Sequence, residues 1–237
     1  MKIEKNILKE YINKVSLGAT IPTLNLNFTS DGVITRVRDV TNTTMIFGKL
    51  KKEAFEEYEE IGEIFIKDSR MFLNTLKTFE GIVELENVSK NLIRISNDKR
   101  EVNITLAEEK ICDNIVRKDR PEIETTVSIA LDKDILMRAI NDMALLDVNN
   151  VLFQKTGDKM VISIGSEREY DFIKNVVVCK EEGDVSVGVA SAFKEVVSSI
   201  SDNVILHLGN DLPLIFEDKN EHMETETFLS PFVECED

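Results

Sequence analysis

Residue types that perform covalent or metal chemistry are few and scattered in this sequence. It contains two histidines and three cysteines, at His207, His222, Cys112, Cys179 and Cys235. Their spacing matches no zinc-ligand pattern and pairs no nucleophile with a base, and there is no P-loop or GxGxxG motif. We therefore predict no catalytic residue, no metal and no cofactor. The 44 acidic residues will form pairs by chance, so an acid/base enzyme stays open.

The composition is that of a folded protein with a strong acidic excess. The 237 residues carry a net charge of −15, which argues against an ordinary nucleic-acid-binding domain, since such domains are usually basic. The position of the charges matters more than their sum, however. No apolar run is long enough to span a membrane, and the first residues lack the apolar core of a signal peptide. We expect a cytoplasmic protein, and the odd number of separated cysteines fits a reducing compartment.

The same pattern occurs twice along the chain. Segment 69–95 repeats without a gap 121 positions later as segment 190–216, with coinciding apolar positions. A helix near the start of each half also matches, at an offset of 128. The repeat predicts two domains, 1–107 and 125–237, joined by the connector 108–124. Two copies of one fold favour a ring or a paired binding surface over a single active site.

Hydrophobic periodicity predicts the elements that build each half. A 3.6-residue period indicates helices at 5–15, 69–79, 132–145 and 190–199, and alternation indicates strands between them. Asp68 and Asp132 are predicted helix N-caps, and 53–60 is predicted to be an acidic loop or turn. Each half thus has two helices and seven or eight strands without βαβ alternation, so we predict an α+β fold of antiparallel sheets packed on helices.

Four segments resemble the sliding clamps of archaea and eukaryotes, the proliferating cell nuclear antigen (PCNA) family. They are 31–47 (DGVITRVRDVTNTTMIF), 121–140 (PEIETTVSIALDKDILMRAI), 205–217 (ILHLGNDLPLIFE) and 227–237 (TFLSPFVECED). They occur in the family's order and extend over the length of the chain. The resemblance implies two tandem copies of the processivity-clamp fold and a head-to-tail homotrimeric ring around duplex DNA.

The resemblance also implies a function without enzymatic activity. A clamp tethers DNA polymerase and other replication and repair enzymes to DNA as a processivity factor, and a clamp loader places it there. Such a protein would be nucleoid-associated, or nuclear in a eukaryote. Two alternatives remain. One is a specialised subunit of a heterotrimeric, checkpoint-type, viral or plasmid ring. The other is an acidic carbohydrate- or ester-processing hydrolase on an α+β scaffold.

The implied ring would line its hole with helices, so their outward faces should be basic despite the acidic total. The basic residues on these faces are Lys5, Lys9, Lys14, Arg70, Lys77, Lys133, Arg138 and Lys194. Their contacts would be to phosphates and would read no sequence. The alternative is that they belong to ordinary solvated helix faces.

The resemblance assigns two further surfaces. Edge strands at 100–106 and 171–178 would pair between subunits, and the interface residues are Val102, Ile104, Leu106, Phe172, Val176 and Val178. A pocket would take an aromatic motif of partner proteins, with the lining Arg38, Ile115, Val116, Lys118, Arg120, Leu212, Pro213, Phe228, Ser230, Pro231 and Phe232. The family has apolar residues where Arg38, Lys118 and Arg120 stand here, so we expect partner motifs with acidic flanks.

Overall fold

The computed structural model of the chain describes residues 1–112, 119–165, 171–190 and 192–232. The chain forms two compact units. The first comprises Met1–Arg120 with Lys219–Thr225, and the second comprises Pro121–Asp218 with Glu226–Asp237. The step from the first unit to the second therefore falls inside the predicted connector. No helix in the described part of the chain is long and apolar enough to cross a membrane.

The first unit contains two antiparallel sheets and two principal helices. Its elements are β1 (Lys2–Glu4), α1 (Lys5–Val15), β2 (Leu24–Thr29), β3 (Gly32–Arg38), β4 (Thr44–Lys51), β5 (Phe55–Glu57), β6 (Gly62–Ile66), α2 (Ser69–Lys77), β7 (Ile82–Ser89), β8 (Leu92–Asn97), β9 (Arg100–Thr105) and the short α3 (Glu109–Cys112). The strand orders are β5-β1-β7-β8-β9 and β6-β2-β3-β4. Helices α1 and α2 pack against each other.

The second unit repeats this plan. Its elements are β10 (Val127–Asp132), α4 (Lys133–Leu146), β11 (Val151–Thr156), β12 (Lys159–Gly165), β13 (Phe172–Val178), β14 (Val185–Val189), α5 (Phe193–Ser199), β15 (Asn203–Leu208), β16 (Leu214–Lys219) and β17 (Met223–Leu229). The strand orders are β13-β12-β11-β14 and β10-β15-β16-β17. Helices α4 and α5 pack against each other. The predicted α+β architecture is confirmed.

The internal repeat is visible in strand register. In the β7–β8 hairpin Leu85 pairs with Ile95, and in the β15–β16 hairpin Leu206 pairs with Phe216. Each pair is separated from its counterpart by the 121 positions found in the sequence. The helix repeat is largely kept, because three of the four matched apolar pairs of α1 and α4 are buried in both helices: Leu8 and Leu136, Ile12 and Ile140, Val15 and Met143. The fourth pair, Ile7 and Ile135, is half-buried in both.

Helix α1 approaches its sheet unusually closely. Tyr11 is fully buried, and its hydroxyl donates a hydrogen bond to Thr35 Oγ1 at 2.8 Å. Burial raises the pKa of Tyr11 well above its usual range, so the phenol stays protonated. A Cβ atom at Gly48 of β4 would lie 2.6 Å from Val15 Cγ1. The absence of a side chain at Gly48 is therefore what lets α1 pack at this distance.

The two predicted N-caps differ in the structure. Asp68 precedes α2 and accepts a hydrogen bond from Met71 N–H at 2.9 Å, as expected of a cap. Asp132 precedes α4 but makes no side-chain cap hydrogen bond. The predicted position of Asp132 is confirmed, whereas the predicted cap interaction is wrong.

The prediction of an acidic loop or turn at 53–60 is wrong only where residues 55–57 form a strand. A 3₁₀ turn, Lys52–Ala54, leads into strand β5, which pairs with the equally short β1. Lys2 Nζ of β1 lies 2.7 Å from Glu57 Oε1 of β5, and this contact lowers the pKa of Glu57. Strands of three residues are too short to show alternation, which is why the sequence pattern missed both.

Candidate functional site

The first unit presents its basic side chains on neighbouring helices. Arg70 and Lys77 of α2 are exposed, and Lys5 and Lys9 of α1 are partly exposed. Lys14 is a correction to the predicted set. Its side chain is only 5% exposed and its Nζ lies 3.3 Å from Glu10 Oε1, so its ammonium is not open to a phosphate ligand.

The second unit offers a weaker basic surface. Arg138 of α4 and Lys194 of α5 are exposed, but Lys133 Nζ donates hydrogen bonds to the carbonyls of Ile200 and Ser198, at 2.7 and 3.4 Å. Lys133 thus satisfies carbonyl groups at the end of α5. Acidic residues also stand close in sequence, with Asp134 and Asp142 each four positions from Arg138, and Glu195 next to Lys194.

Both predicted edge strands lie at sheet edges. Strand β9 ends the five-stranded sheet of the first unit, and β13 ends the four-stranded sheet of the second. Each therefore carries backbone groups available to another strand.

The predicted interface residues on these strands have different environments. On and just after β9, Ile104 and Leu106 are 3% and 4% exposed. They belong to the core of their own unit, which corrects their assignment to an intersubunit surface, and Val102 is half-buried. On β13, in contrast, Phe172, Val176 and Val178 are 43%, 60% and 73% exposed.

The predicted partner pocket is only partly within the described structure. Ile115, Val116 and Lys118 lie outside the described residues. In the first unit Arg38 is half-buried and Arg120 is exposed. In the second unit Phe228 is fully buried and Ser230 is exposed, while the remaining predicted residues are partly or well exposed: Leu212, Pro213, Pro231 and Phe232.

A cavity in the second unit contains part of the predicted pocket. It has a volume of about 470 Å³, and Pro231 and Phe232 form part of its lining. The Phe232 N–H donates a hydrogen bond to the carbonyl of Gly188 at 2.7 Å, which holds the tail against β14. Val151, Leu152 and Val187 also belong to the apolar part of the lining. No sequence pattern predicts that these strand residues line a cavity, because they reach it through sheet pairing.

Three polar side chains form a hydrogen-bonded row across neighbouring strands of the second unit. His207 Nδ1 of β15 lies 2.8 Å from Ser128 Oγ of β10, and His207 Nε2 lies 2.9 Å from Glu217 Oε2 of β16. Sequence spacing did not reveal this row, since Ser128 and His207 are direct partners only through strand register. Its hydrogen bonds tie three adjacent strands together.

The remaining candidates for reactive chemistry give no site. Cys179 is buried, and burial is the main cause that raises the pKa of its thiol, so it is protonated at neutral pH. Within residues 1–112, 119–165, 171–190 and 192–232, no group of three or more His, Cys, Asp or Glu side chains could hold a metal ion.

The chain is similar to known proteins both in sequence and in fold. No protein-family model matches the chain. It is 26% identical over 211 residues to "DNA polymerase sliding clamp 2" of Sulfurisphaera tokodaii, which covers 81% of this chain and 82% of that protein. It is 25% identical over 250 residues to the "DNA polymerase sliding clamp" of Methanospirillum hungatei, which covers 99% and 98%.

Solved structures with the same fold align with nearly the whole chain. Archaeoglobus fulgidus PCNA, solved with the C-terminal region of FEN-1, matches with a TM-score of 0.84 at 18% identity, over 99% of this chain and 98% of that chain. Entamoeba histolytica PCNA matches with the same TM-score and identity, over 98% of each chain. The chain is similar in sequence to archaeal sliding clamps and has the PCNA clamp fold. Its two units correspond to the two domains of that fold, and the helix pairs α1–α2 and α4–α5 form the helix layer of each unit.

A third relative contains two different clamp chains. In the PCNA2–PCNA3 complex from Sulfolobus tokodaii, the matching chain has a TM-score of 0.73 at 18% identity, and the match covers 98% of this chain and 99% of that chain. The clamp fold thus occurs there in a complex of unlike subunits.

Proposed function

We propose that this chain is a subunit of a DNA sliding clamp, a closed ring that encircles duplex DNA and tethers DNA polymerase and other replication and repair enzymes. The observation that carries the proposal is the placement of basic side chains. A clamp fold with a net charge of −15 leaves Arg70 and Lys77 in the open on a helix layer.

The chemistry of these side chains fits a sliding contact. Arg and Lys bind phosphates without reading bases, and such contacts are released easily by salt. A ring remains on DNA by topology, so its helices need only a weak and uniform attraction. The modest number of open cations suits that requirement.

The two sheet edges support ring closure. Pairing β9 of one subunit with β13 of the next would use the free backbone groups of both edges, and head-to-tail contacts that close give a ring. The sequence-based prediction is a homotrimer placed on DNA by a clamp loader. Light scattering tests it directly, because a homotrimer would have three times the 26.9 kDa mass of the chain.

Partner binding is proposed at the tail of the second unit. The cavity beside Pro231 and Phe232 has an apolar wall and is large enough for aromatic or aliphatic side chains of a short peptide. The relative solved with the C-terminal region of FEN-1 supports a peptide partner. The sequence-based expectation that such peptides carry acidic flanks stays a prediction.

Primer extension on singly primed circular DNA tests the proposed function. With a cognate polymerase and clamp loader, the chain should lengthen the products made in one binding event. A double variant, Arg70→Glu with Lys77→Glu, should lose this stimulation. The matched control, Lys90→Glu with Lys180→Glu, makes the same charge change at exposed positions outside the helices and should keep it. Equal activity of the two variants would contradict the assignment of the helix layer.

A further inference from the structure

The first unit contains a groove that no sequence pattern predicts. It lies between strand β6, the turn that joins β7 to β8 and the segment that leads into α3, and its volume is about 400 Å³. We call it the β6 groove. Its lining includes Glu63, Phe65, Lys90, Ala107, Glu108 and Glu109.

The β6 groove is the counterpart of the cavity in the second unit. Lys90 lines the groove and Asp211 lines the cavity, and these two residues are repeat partners 121 positions apart. Each site lies at the last strand of a sheet, β6 beside β2 and β14 beside β11. The Ala107 N–H donates a hydrogen bond to the Phe65 carbonyl of β6 at 2.8 Å, as the tail does to β14 in the second unit. The repeated fold therefore forms the same recess twice.

The two sites differ in the backbone groups that remain at the strand edge. Phe65 directs its carbonyl to the edge of β6, so Glu63, two residues earlier, directs its N–H and carbonyl the same way. Within the described part of the chain, no group is hydrogen-bonded to them. At β14, by contrast, the Ser186 N–H is taken by Asn210 Oδ1. Strand β6 thus keeps a donor and an acceptor for an added strand.

The side chains around this open stretch of β6 are mostly acidic. Glu63, Glu108 and Glu109 are exposed, and the lining includes one cation, Lys90. The Glu63 carboxylate accepts a hydrogen bond from Asn25 Nδ2 at 2.8 Å, which fixes it beside the edge. Among the described residues, no cation forms an ion pair with any of the three carboxylates. The cavity of the second unit has an apolar wall instead, so the two recesses suit different ligands.

We propose that the β6 groove binds an extended, basic segment of a partner protein, which adds as a short strand to the edge of β6. The backbone of Glu63 supplies hydrogen bonds to that strand. Lys or Arg side chains at alternate positions of the segment lie beside Glu108 and Glu109, and charge complementarity selects such a segment over an acidic one. The proposal goes beyond the clamp function and does not depend on it.

Binding of model peptides to the full chain tests the proposal. The probe is a short fluorescein-labelled peptide in which Lys and Val alternate, here called the Lys peptide, and its matched control has Glu in place of each Lys. Fluorescence anisotropy at low salt should show saturable binding of the Lys peptide that weakens as salt is added. The control peptide should bind at least about ten-fold more weakly. Absence of saturable binding by the Lys peptide would overturn the proposal.

Charge reversal in the groove locates the binding site. Glu108→Lys with Glu109→Lys should weaken binding of the Lys peptide about ten-fold. Glu122→Lys with Glu124→Lys makes the same charge change at exposed positions outside the groove, and should change the affinity by no more than about two-fold. Equal losses in the two variants would overturn the proposal, since the peptide would then respond only to net charge.

A milder pair of substitutions guards against misfolding, because α3 begins at Glu109. Circular dichroism checks that the charge-reversal variant is folded. Glu108→Gln with Glu109→Gln removes the charges and keeps side chains of similar size, and should weaken binding of the Lys peptide about three-fold. An unchanged affinity in this folded variant would contradict the role of the two carboxylates.

Amide hydrogen exchange shows whether the peptide adds as a strand. At saturation, the Lys peptide should slow exchange of the Glu63 N–H about ten-fold or more, because that group becomes hydrogen-bonded. The Ser186 N–H, which already has an acceptor, should exchange at an unchanged rate. Unchanged exchange at Glu63 in the saturated complex would overturn the pairing with β6.

The outcome is separable from that of the proposed function. A chain that binds the Lys peptide through the β6 groove but gives no processive synthesis would contradict the clamp function alone. A chain that stimulates synthesis, but whose groove and control variants bind the Lys peptide equally, would overturn the assignment of the β6 groove alone.

Discussion

In the first unit, α2 holds Arg70 and Lys77 in the open, whereas in the second unit Lys133 is engaged by the carbonyls at the end of α5. Arg138 is open, but aspartates stand four positions away on both sides. The cores show no such contrast, since matched positions of the repeat are buried in both units. The two copies have thus kept the same interior and acquired different surfaces.

This difference separates two demands on the sequence. Buried positions, which recur at helical or strand spacing, must keep apolar residues of suitable size. A change of side-chain volume there disturbs the neighbours in a closely packed interior. Surface charge is free to differ, since a solvated side chain contributes little to stability. If the helix layers contact DNA, the first unit should supply most of the attraction.

The largest expected effect tests whether the two cores are equivalent. Phe72 and Phe193 are repeat partners and are 1% and 0% exposed. Replacing either with Ala should lower the free energy of unfolding by about 3–5 kcal/mol, through lost burial and the cavity left behind. Urea titration measures the free energy of unfolding of both variants. A loss below about 1 kcal/mol in one variant alone would show that the cores are not equivalent.

The next effect concerns the close helix packing in the first unit. Gly48→Ala forces a Cβ into Val15 and should destabilise the protein by about 1–3 kcal/mol. Gly188→Ala in β14 is the control, because the new Cβ would meet its neighbours at no less than 3.6 Å. Thermal unfolding of the two variants compares them, and equal melting temperatures would argue that α1 can move away without cost.

Charge reversal tests the contrast between the helix layers. Arg70→Glu with Lys77→Glu should weaken binding to duplex DNA about ten-fold and reduce the salt slope by roughly 1–2, as phosphate contacts are lost. Arg138→Glu with Lys194→Glu should have a smaller effect, because nearby acids already offset those charges. Titration by fluorescence anisotropy at several salt concentrations gives the affinity for DNA and the salt slope of each variant. The reverse ranking would place the main DNA contact in the second unit.

The smallest effect uses the two caps. Asp68→Ala removes the acceptor for Met71 N–H and should cost about 1 kcal/mol. Asp132→Ala removes no cap hydrogen bond, so only a few tenths of a kcal/mol from the helix dipole are at stake. Urea unfolding resolves the two, and a loss near 1 kcal/mol for both would mean that Asp132 caps α4 in solution.

The sequence predicted most of the fold because the repeated elements are long and amphipathic. Helix α1 has its predicted bounds, and the hairpin β15–β16 has the register implied by the repeat. The short β1 and β5 were missed, as three residues carry no period. The contact between Ser128 and His207 was missed because it depends on register, which the residues themselves do not encode locally.

The candidate site was less predictable, and the two edge strands show the reason. Alternation reveals which residues share a side of a strand but not which side faces the interior. On β9 the apolar side is the buried one, so Ile104 belongs to the core. On β13 both sides carry apolar residues, and they are distinguished by the contact of Asn175 with α4 and by their burial in the structure.

The two edges of the four-stranded sheet in the second unit differ in one more respect. At β14 the Ser186 N–H is taken by Asn210 Oδ1 at 2.8 Å, and the Gly188 carbonyl is taken by the tail through Phe232. Two backbone groups at the β14 edge are therefore already hydrogen-bonded, whereas β13 is an edge strand to which another strand can pair. A sheet that can add strands at only one edge cannot extend into a fibril. At high concentration, unassembled subunits should therefore form small oligomers. Removal of residues 230–237 would free the Gly188 carbonyl and open this edge in part, while the Ser186 N–H would stay bonded to Asn210 Oδ1.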